Sequence, residues 1–187
     1  MGLTVKDLER VQAQLDGDYR IELVNGEIII MSPSGYESDE VALEFGSQLR
    51  NWVKPRQLGR VTGSSAGFIL PNSDARAPDV TFVKADRLPR SPRSFAELAP
   101  DLMVEVKSPS DSLVGLRSKI DQFLQQGTQI GILIHPEQHW LEVRRSNQEP
   151  VLLKDGDVLT LPDLLPGWEL QVSELWPPVF DERPPSS

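Results

Sequence analysis

A chain of 187 residues with 39% hydrophobic and 25% charged residues has the size and composition of one globular domain, and disorder, collagen and coiled coil do not fit it. It contains no cysteine, which excludes disulfides, thiolate metal sites and cysteine nucleophiles and leaves oxygen or imidazole to hold any metal. The formal charge of −9 argues against gripping nucleic acid by bulk electrostatics, yet nine basic residues between Arg50 and Arg93 are offset by only three acids, a local +6 against −15 for the remainder.

The first ten residues alternate charge with apolar side chains and lack the apolar core of a signal peptide. The longest apolar runs, Ile28 to Met31 and Ile130 to Ile134, fall far short of the ~20 residues a membrane helix needs, so a cytoplasmic protein with no membrane contact is expected. Thr4 and Asp7 form a capping signal, and Leu8, Val11, Gln12 and Leu15 continue as a short helix that stops at Asp16-Gly17-Asp18. Tyr19 to Val24 and Glu27 to Met31 flank Asn25-Gly26, a pair that supplies the positive φ angles of a tight hairpin turn. Ser32-Pro33-Ser34-Gly35 breaks the hairpin, and Val41, Phe45, Leu49, Trp52 and Val53 give the stretch from Glu37 to about Lys54 the spacing of a long amphipathic helix.

Arg60 to Thr62 and Gly67 to Leu70 read as short strands around the bend Gly63-Ser64-Ser65-Ala66, and Asp79 to Val83 as a further strand entered through Pro78. Lys84 to Pro100 is expected to be mostly loop. Asp101 to Ser108 is a strand, and Ser112 to Gln126 is a helix ended by Gly127 with Leu113, Leu116, Ile120, Phe123 and Leu124 as its stripe. Ile130 to His135 reads as a buried strand and Trp140 to Arg144 as the next, so strand, helix and strand predict a right-handed crossover with parallel pairing. Short apolar pieces from Val151 to Trp176 form a β-rich extension, after which Pro177-Pro178 and Arg183 to Ser187 predict a flexible tail. Residues 1–187 are thus expected to form one domain with an ordered core over about 3–178.

The chemistry gathers in Met103-Val104-Glu105-Val106-Lys107, where the period of two puts Glu105 and Lys107 on one face and Val104 and Val106 on the other. Asp79 lies 26 residues earlier, far enough for its strand to become a neighbour in the same sheet. Two converging carboxylates can hold a hard cation such as Mg²⁺, leaving positions for water and a phosphate oxygen. Lys107 can then orient the attacking water and steady the charge that builds on phosphorus. Glu22 turns away from the core if Ile21 and Leu23 face it. Lys119 and Gln122, three apart on the following helix, could reach the same place. The competing reading makes Glu105 and Lys107 a surface ion pair and Lys119 and Gln122 part of a solvated helix face.

Pro78-Asp79 and Glu105-Val106-Lys107, with strand, strand and helix in that order, resemble the PD-(D/E)XK or restriction-endonuclease-like phosphodiesterases. More narrowly the sequence is similar to a large bacterial group of uncharacterised nucleases in that superfamily, once classed as a domain of unknown function. The similarity runs over Tyr19 to Ile28, Ala77 to Val80, Pro100 to Val106, Ser108 to Asp111 and Lys119 to Gly127; Gly131 to Pro136 departs from the pattern. It implies an α/β fold with a mixed sheet flanked by helices, metal on Asp79 and Glu105, a catalytic Lys107, and Glu22 at a further acidic position. The function so implied is a Mg²⁺- or Mn²⁺-dependent endonuclease acting on nucleic acid, DNA first. The rival reading is an inactive nuclease-fold module that binds nucleic acid or a protein partner. The apolar C-terminal pieces and tryptophans suggest a self-complementary surface and hence a homodimer. Gly63 to Gly67 lacks the lysine of a phosphate-binding loop, Ser108 to Asp111 is best read as a helix-capping turn, and Pro136 prevents His135 and His139 from aligning as a zinc pair.

Overall fold

The computed structural model describes residues 2–15, 19–31 and 33–180. The predicted helix stop at Asp16 to Asp18, the breaker Ser32 and the tail from Arg183 lie outside the described residues. The elements are α1 (Val5–Gln14), β1 (Arg20–Val24), β2 (Glu27–Met31), α2 (Tyr36–Val53), β3 (Gly59–Gly63), β4 (Phe68–Ile69), β5 (Ala75–Arg76), β6 (Val80–Lys84), β7 (Leu102–Val106), α3 (Leu113–Gln125), β8 (Ile130–His135), β9 (Trp140–Arg144), β10 (Val151–Lys154), β11 (Val158–Thr160) and β12 (Glu169–Gln171). No helix among the described residues is long and apolar enough to cross a membrane.

A six-stranded sheet in the order β10-β9-β8-β7-β6-β3 forms the centre. Its one parallel pair is β7 with β8, joined through α3 as a crossover, while β6 runs antiparallel to β7 with Val80 opposite Val104. Val80, Phe82, Val104, Val106, Ile132 and Ile134 share a core cluster with Val41, Phe45, Leu49 and Val53 of α2. The helical spacing of that stripe turns one apolar side of α2 onto this face of the sheet. The opposite face packs Met103 and Leu133 against Ile120, Phe123 and Leu124 of α3. Beyond lies a smaller sheet, β2-β1-β5-β4, with α1 on it through Leu8, Leu23 and Ala75.

The hairpin turn is as the sequence predicts: Asn25 and Gly26 take φ angles of 51° and 77°, and Val24 pairs with Glu27. The Asp7 carboxylate accepts from the Thr4 backbone N–H at 2.9 Å and its hydroxyl at 2.7 Å, capping α1. Ser112 caps α3 by accepting from the Gly115 N–H, whereas Asp111 closes the turn before it by accepting from the Ser108 N–H at 2.8 Å. Two strands escape sequence reasoning, β5 and β12, both too short to show a period.

The C-terminal segment differs in use from the expectation. Leu159, Leu161, Leu164, Leu165, Trp168 and Leu170 are buried in the same cluster as α2, and Trp168 meets Phe45 edge to face at 5.8 Å. That part of the apolar surface on which the homodimer expectation rested is therefore spent inside the protomer, while Val151, Leu152, Val179 and Phe180 stay exposed. Trp140 is likewise a core residue.

Candidate active site

Asp79 sits immediately before β6, and its backbone N–H donates to the Val104 carbonyl, so it enters the sheet beside β7. Its carboxylate Oδ2 accepts from the Val106 N–H at 2.8 Å. That bond fixes the side chain across the strand, and Asp79 borders a cavity of about 430 Å³ together with Thr62, Ser64, Ser65 and Arg50. One residue from Val106, Glu105 projects toward α3 and is almost fully buried.

Across the β7–α3 gap stands Lys119. It lies next to Ile120 on the buried side of α3, not on a solvated face, and its ammonium reaches three elements at once. It contacts Glu105 Oε1 at 2.9 Å, donates to Glu22 Oε1 at 3.0 Å and to the Ala77 carbonyl at 3.3 Å. Two guanidinium pairs with strand β9, Arg117 to Glu142 at 2.8 Å and Arg144 to Asp121 at 2.9 Å, lock the helix that carries it.

Glu22 is buried as well, its second oxygen accepting from Arg76 Nε at 3.0 Å and its first from the Ala77 N–H at 3.0 Å. Arg76 also donates to Gln122 Oε1, which ties Gln122 into the cluster. Of the residues expected from the sequence, Glu22, Glu105, Lys119 and Gln122 are joined by direct contacts through Lys119 and Arg76, with Asp79 beside them. Lys107 follows Glu105 on the strand, its backbone N–H still on the ladder to Ile134, but its ammonium donates to the Ser108 carbonyl at 3.0 Å and makes no ion pair among the described residues. Arg76 is the member that sequence reasoning missed. Its signal was only its place three residues before Asp79, and it was counted among the surface cations of the Arg50 to Arg93 segment.

The electrostatics set three carboxylates against two buried cations. Burial raises Glu105, Lys119 opposes that, and repulsion from Asp79 adds to it, so the carboxyl is pushed up to about 8. Burial also raises Asp79, although the Val106 N–H, Lys119 and Arg20 pull the other way. For Glu22 the burial penalty is overcome by Lys119, Arg76 and the Ala77 N–H, and its carboxyl stays below the usual range. Lys119 loses hydration, but Glu105 and Glu22 more than compensate and keep it charged. Glu105 Oε1, although close to the ammonium, is enclosed and receives no properly directed hydrogen bond. The cluster thus has room electrostatically for one more positive charge, held as a proton on Glu105 or supplied by a cation. Asp79 and Glu105 fit a hard divalent ion, which commonly takes one or two carboxylates and completes its shell with water and phosphate oxygens. A larger all-protein cage is not present among the described residues, where no three metal-ligating side chains converge.

A mixed sheet that brings Asp79, at the head of β6, beside Glu105 of β7, with α3 crossing over to a parallel β8, is the arrangement of the restriction-endonuclease-like fold. Residues 5–173 match the model of the Uma2 family, described as "Putative restriction endonuclease", and the chain belongs to that family. The fold is also that of a crystal structure from Anabaena variabilis described as a "putative nuclease belonging to DUF820", at 22% identity, with 90% of this chain and 96% of that one covered and a TM-score of 0.79. A cryo-electron microscopy structure of a DrdV–DNA complex matches more loosely, at 13% identity and a TM-score of 0.36 over 79% of this chain and 14% of that one. No curated protein matches.

Proposed function

We propose that the chain is a metal-dependent endonuclease that hydrolyses phosphodiester bonds of nucleic acid, DNA first. The observation that carries this reading is the placement of Asp79, joined at the head of β6 to the Val104 carbonyl, beside Glu105 of β7, two carboxyls that burial raises and a divalent cation would relieve. Asp79 and Glu105 would hold Mg²⁺ or Mn²⁺, and a cation there would draw electron density from the phosphate under attack. Glu22 and Lys119 keep Glu105 in place through the buried pair. Lys107, half-buried and next but one to Glu105, orients the attacking water and balances charge on phosphorus.

Calorimetric titration with Mn²⁺ tests the reading on wild type and on Asp79→Asn. Asparagine keeps an oxygen to accept from the Val106 N–H, so a loss of binding reports the ligand and not the strand. Binding in wild type that disappears in the variant supports the metal site; absence of binding in both, with and without a DNA duplex, overturns it. The second reading is a nuclease-fold module without catalysis, favoured by the Lys119 ammonium already standing between Glu22 and Glu105. Tight nucleic-acid binding with no cleavage under any divalent ion would select it.

A further inference from the structure

Beside the acidic site, and sharing Arg50, Thr62 and Ser65 with the cavity at Asp79, lies a second cavity of about 630 Å³. Its apolar lining with surface to offer is the half-buried Val61, Ala66, Leu88 and Phe95, whereas Val53, Phe68 and Val83 border it but are nearly fully buried in the core. The charged part of the lining is of one sign but for Glu9: Arg50, Lys54, Arg60 and Arg93. Arg60 is committed, donating to the Leu88 and Pro89 carbonyls at 2.8 and 2.7 Å, and so fixes the loop that forms one wall. Arg50, Lys54 and Arg93 are exposed and have no ion-pair partner among the described residues. Elsewhere in the same segment Arg76 is paired with Glu22, Arg87 with Asp101 at 2.9 Å, and Arg56 lies over the Trp52 ring. Four of the nine cations of the segment, Arg50, Lys54, Arg60 and Arg93, therefore line this one cavity.

An apolar recess rimmed by unpaired cations matches a flat uncharged heterocycle joined to an anion. We propose that this cavity is a nucleotide pocket, taking a base against the part-exposed Val61, Ala66, Leu88 and Phe95 and its phosphate on Arg50, Lys54 and Arg93. The volume falls in the range of small-molecule sites, roughly 300 to 1,000 Å³. A base held out of its stack and a phosphate on cations are each common devices of nucleic-acid enzymes. The occupant is one unit of a polynucleotide strand whose neighbour reaches Asp79 through the shared wall, or a free mononucleotide of the same chemistry. The strand version rests on the endonuclease reading, and the experiment below separates the two.

Binding is measured on the full chain in EDTA, with AMP, ribose 5-phosphate and a fluorescent single-stranded oligonucleotide of about 12 residues as probes. The tested variant is Lys54→Glu with Arg93→Glu, both exposed. The control is Lys154→Glu, an equally exposed lysine on β10 at the far edge of the central sheet. Stacking and burial of the base should make AMP bind about ten-fold more tightly than ribose 5-phosphate. The double variant should weaken both AMP and the oligonucleotide by about ten-fold or more, and Lys154→Glu by no more than about two-fold. Displacement of the oligonucleotide by AMP identifies a strand unit as the occupant; AMP binding without displacement identifies a free mononucleotide. Equal affinity for AMP and ribose 5-phosphate, or unchanged binding in the double variant, overturns the pocket. Cleavage is read separately on wild type with Mn²⁺: AMP bound as expected with no cleavage refutes the nuclease reading alone, and cleavage with unchanged AMP binding in the double variant refutes the pocket alone.

Discussion

The two faces of β7 are built from alternate residues of one five-residue strand, and they have opposite energetic characters. On the α2 side Val104 and Val106 meet only apolar neighbours, in a close-packed core where each buried side chain contributes through area removed from water. On the α3 side Met103 continues that pattern, but two residues on Glu105 is buried among Lys119, Glu22 and Asp79. Desolvated charges of this kind seldom add stability relative to apolar packing of the same volume. The fold is held by one face and tolerates the other, which is the division expected when a site is set into a scaffold rather than forming part of its core.

If that division is right, truncation on the α2 face should be the most damaging single change. Phe45 is fully buried and stacks edge-on against Trp168, so Phe45→Ala should cost about 3 to 5 kcal/mol in urea denaturation while leaving Mn²⁺ affinity of the folded fraction unchanged. A loss of affinity with intact folding would mean that the two faces are coupled.

On the α3 face the second-largest effect should come from Lys119→Met, which keeps the length of the side chain but strands two buried carboxylates. Breaking one partner of such a cluster costs about 3 kcal/mol. The cost should shrink as the pH falls toward 5, because Glu22, held ionised by Lys119 and Arg76 in wild type, can then take up a proton, whereas the cost of Phe45→Ala should not depend on pH. Parallel denaturation at pH 5 and pH 8 reads both, and a pH-independent cost for Lys119→Met would remove the claim that its role there is charge compensation.

How far the sequence revealed each face follows from the same contrast. The α2 face was legible because it is periodic: the stripe Val41, Phe45, Leu49, Val53 and the alternation through Val104 and Val106 are local signals. The positions of Asp79 and Glu105 were legible from their strands and from the family pattern. The partners were not. Arg76 lies on a two-residue strand with no period, and its pairing with Glu22 spans 54 residues of sequence. Helical spacing groups Lys119 with Gln122, but a solvated face is equally consistent with that spacing; burial comes from the packing of α3 against β7 and β8, which no single segment encodes. The C-terminal tryptophans and leucines read as apolar but could not declare whether their cover was the core or a second copy.

A third test concerns the proton that Glu105 retains. Its carboxyl is raised to about 8 from an ordinary value of 4.5, so the folded chain binds more protons than the unfolded chain between those limits. The stability tied to this group is therefore complete below pH 4.5 and is lost as the pH rises to about 8. Metal-free wild type should lose on the order of 1 to 4 kcal/mol across that window, and Glu105→Gln should flatten most of the slope. Asp79, raised in the same direction, leaves a residual slope of the same sign in the variant, while Glu22 acts below the window and Lys119 above it. Stability of wild type that rises from pH 5 to 8 would contradict the buried-carboxyl account.

The smallest structural effect, and the sharpest functional one, is expected at Lys107. Its ammonium is half-buried and donates only to the carbonyl of the next residue, so Lys107→Ala should change stability by less than about 0.5 kcal/mol. Mn²⁺ affinity should also hold, since the carboxylates on either strand keep their partners. Cleavage should fall by about 10² to 10⁴-fold if the ammonium orients the attacking water. A near-silent change in fold joined to a large loss of turnover would separate Lys107 from Lys119, whose removal disturbs both. Retained cleavage would take the water-orienting role from Lys107 and leave Lys119, already in contact with Glu105, as the cation through which the site has to work.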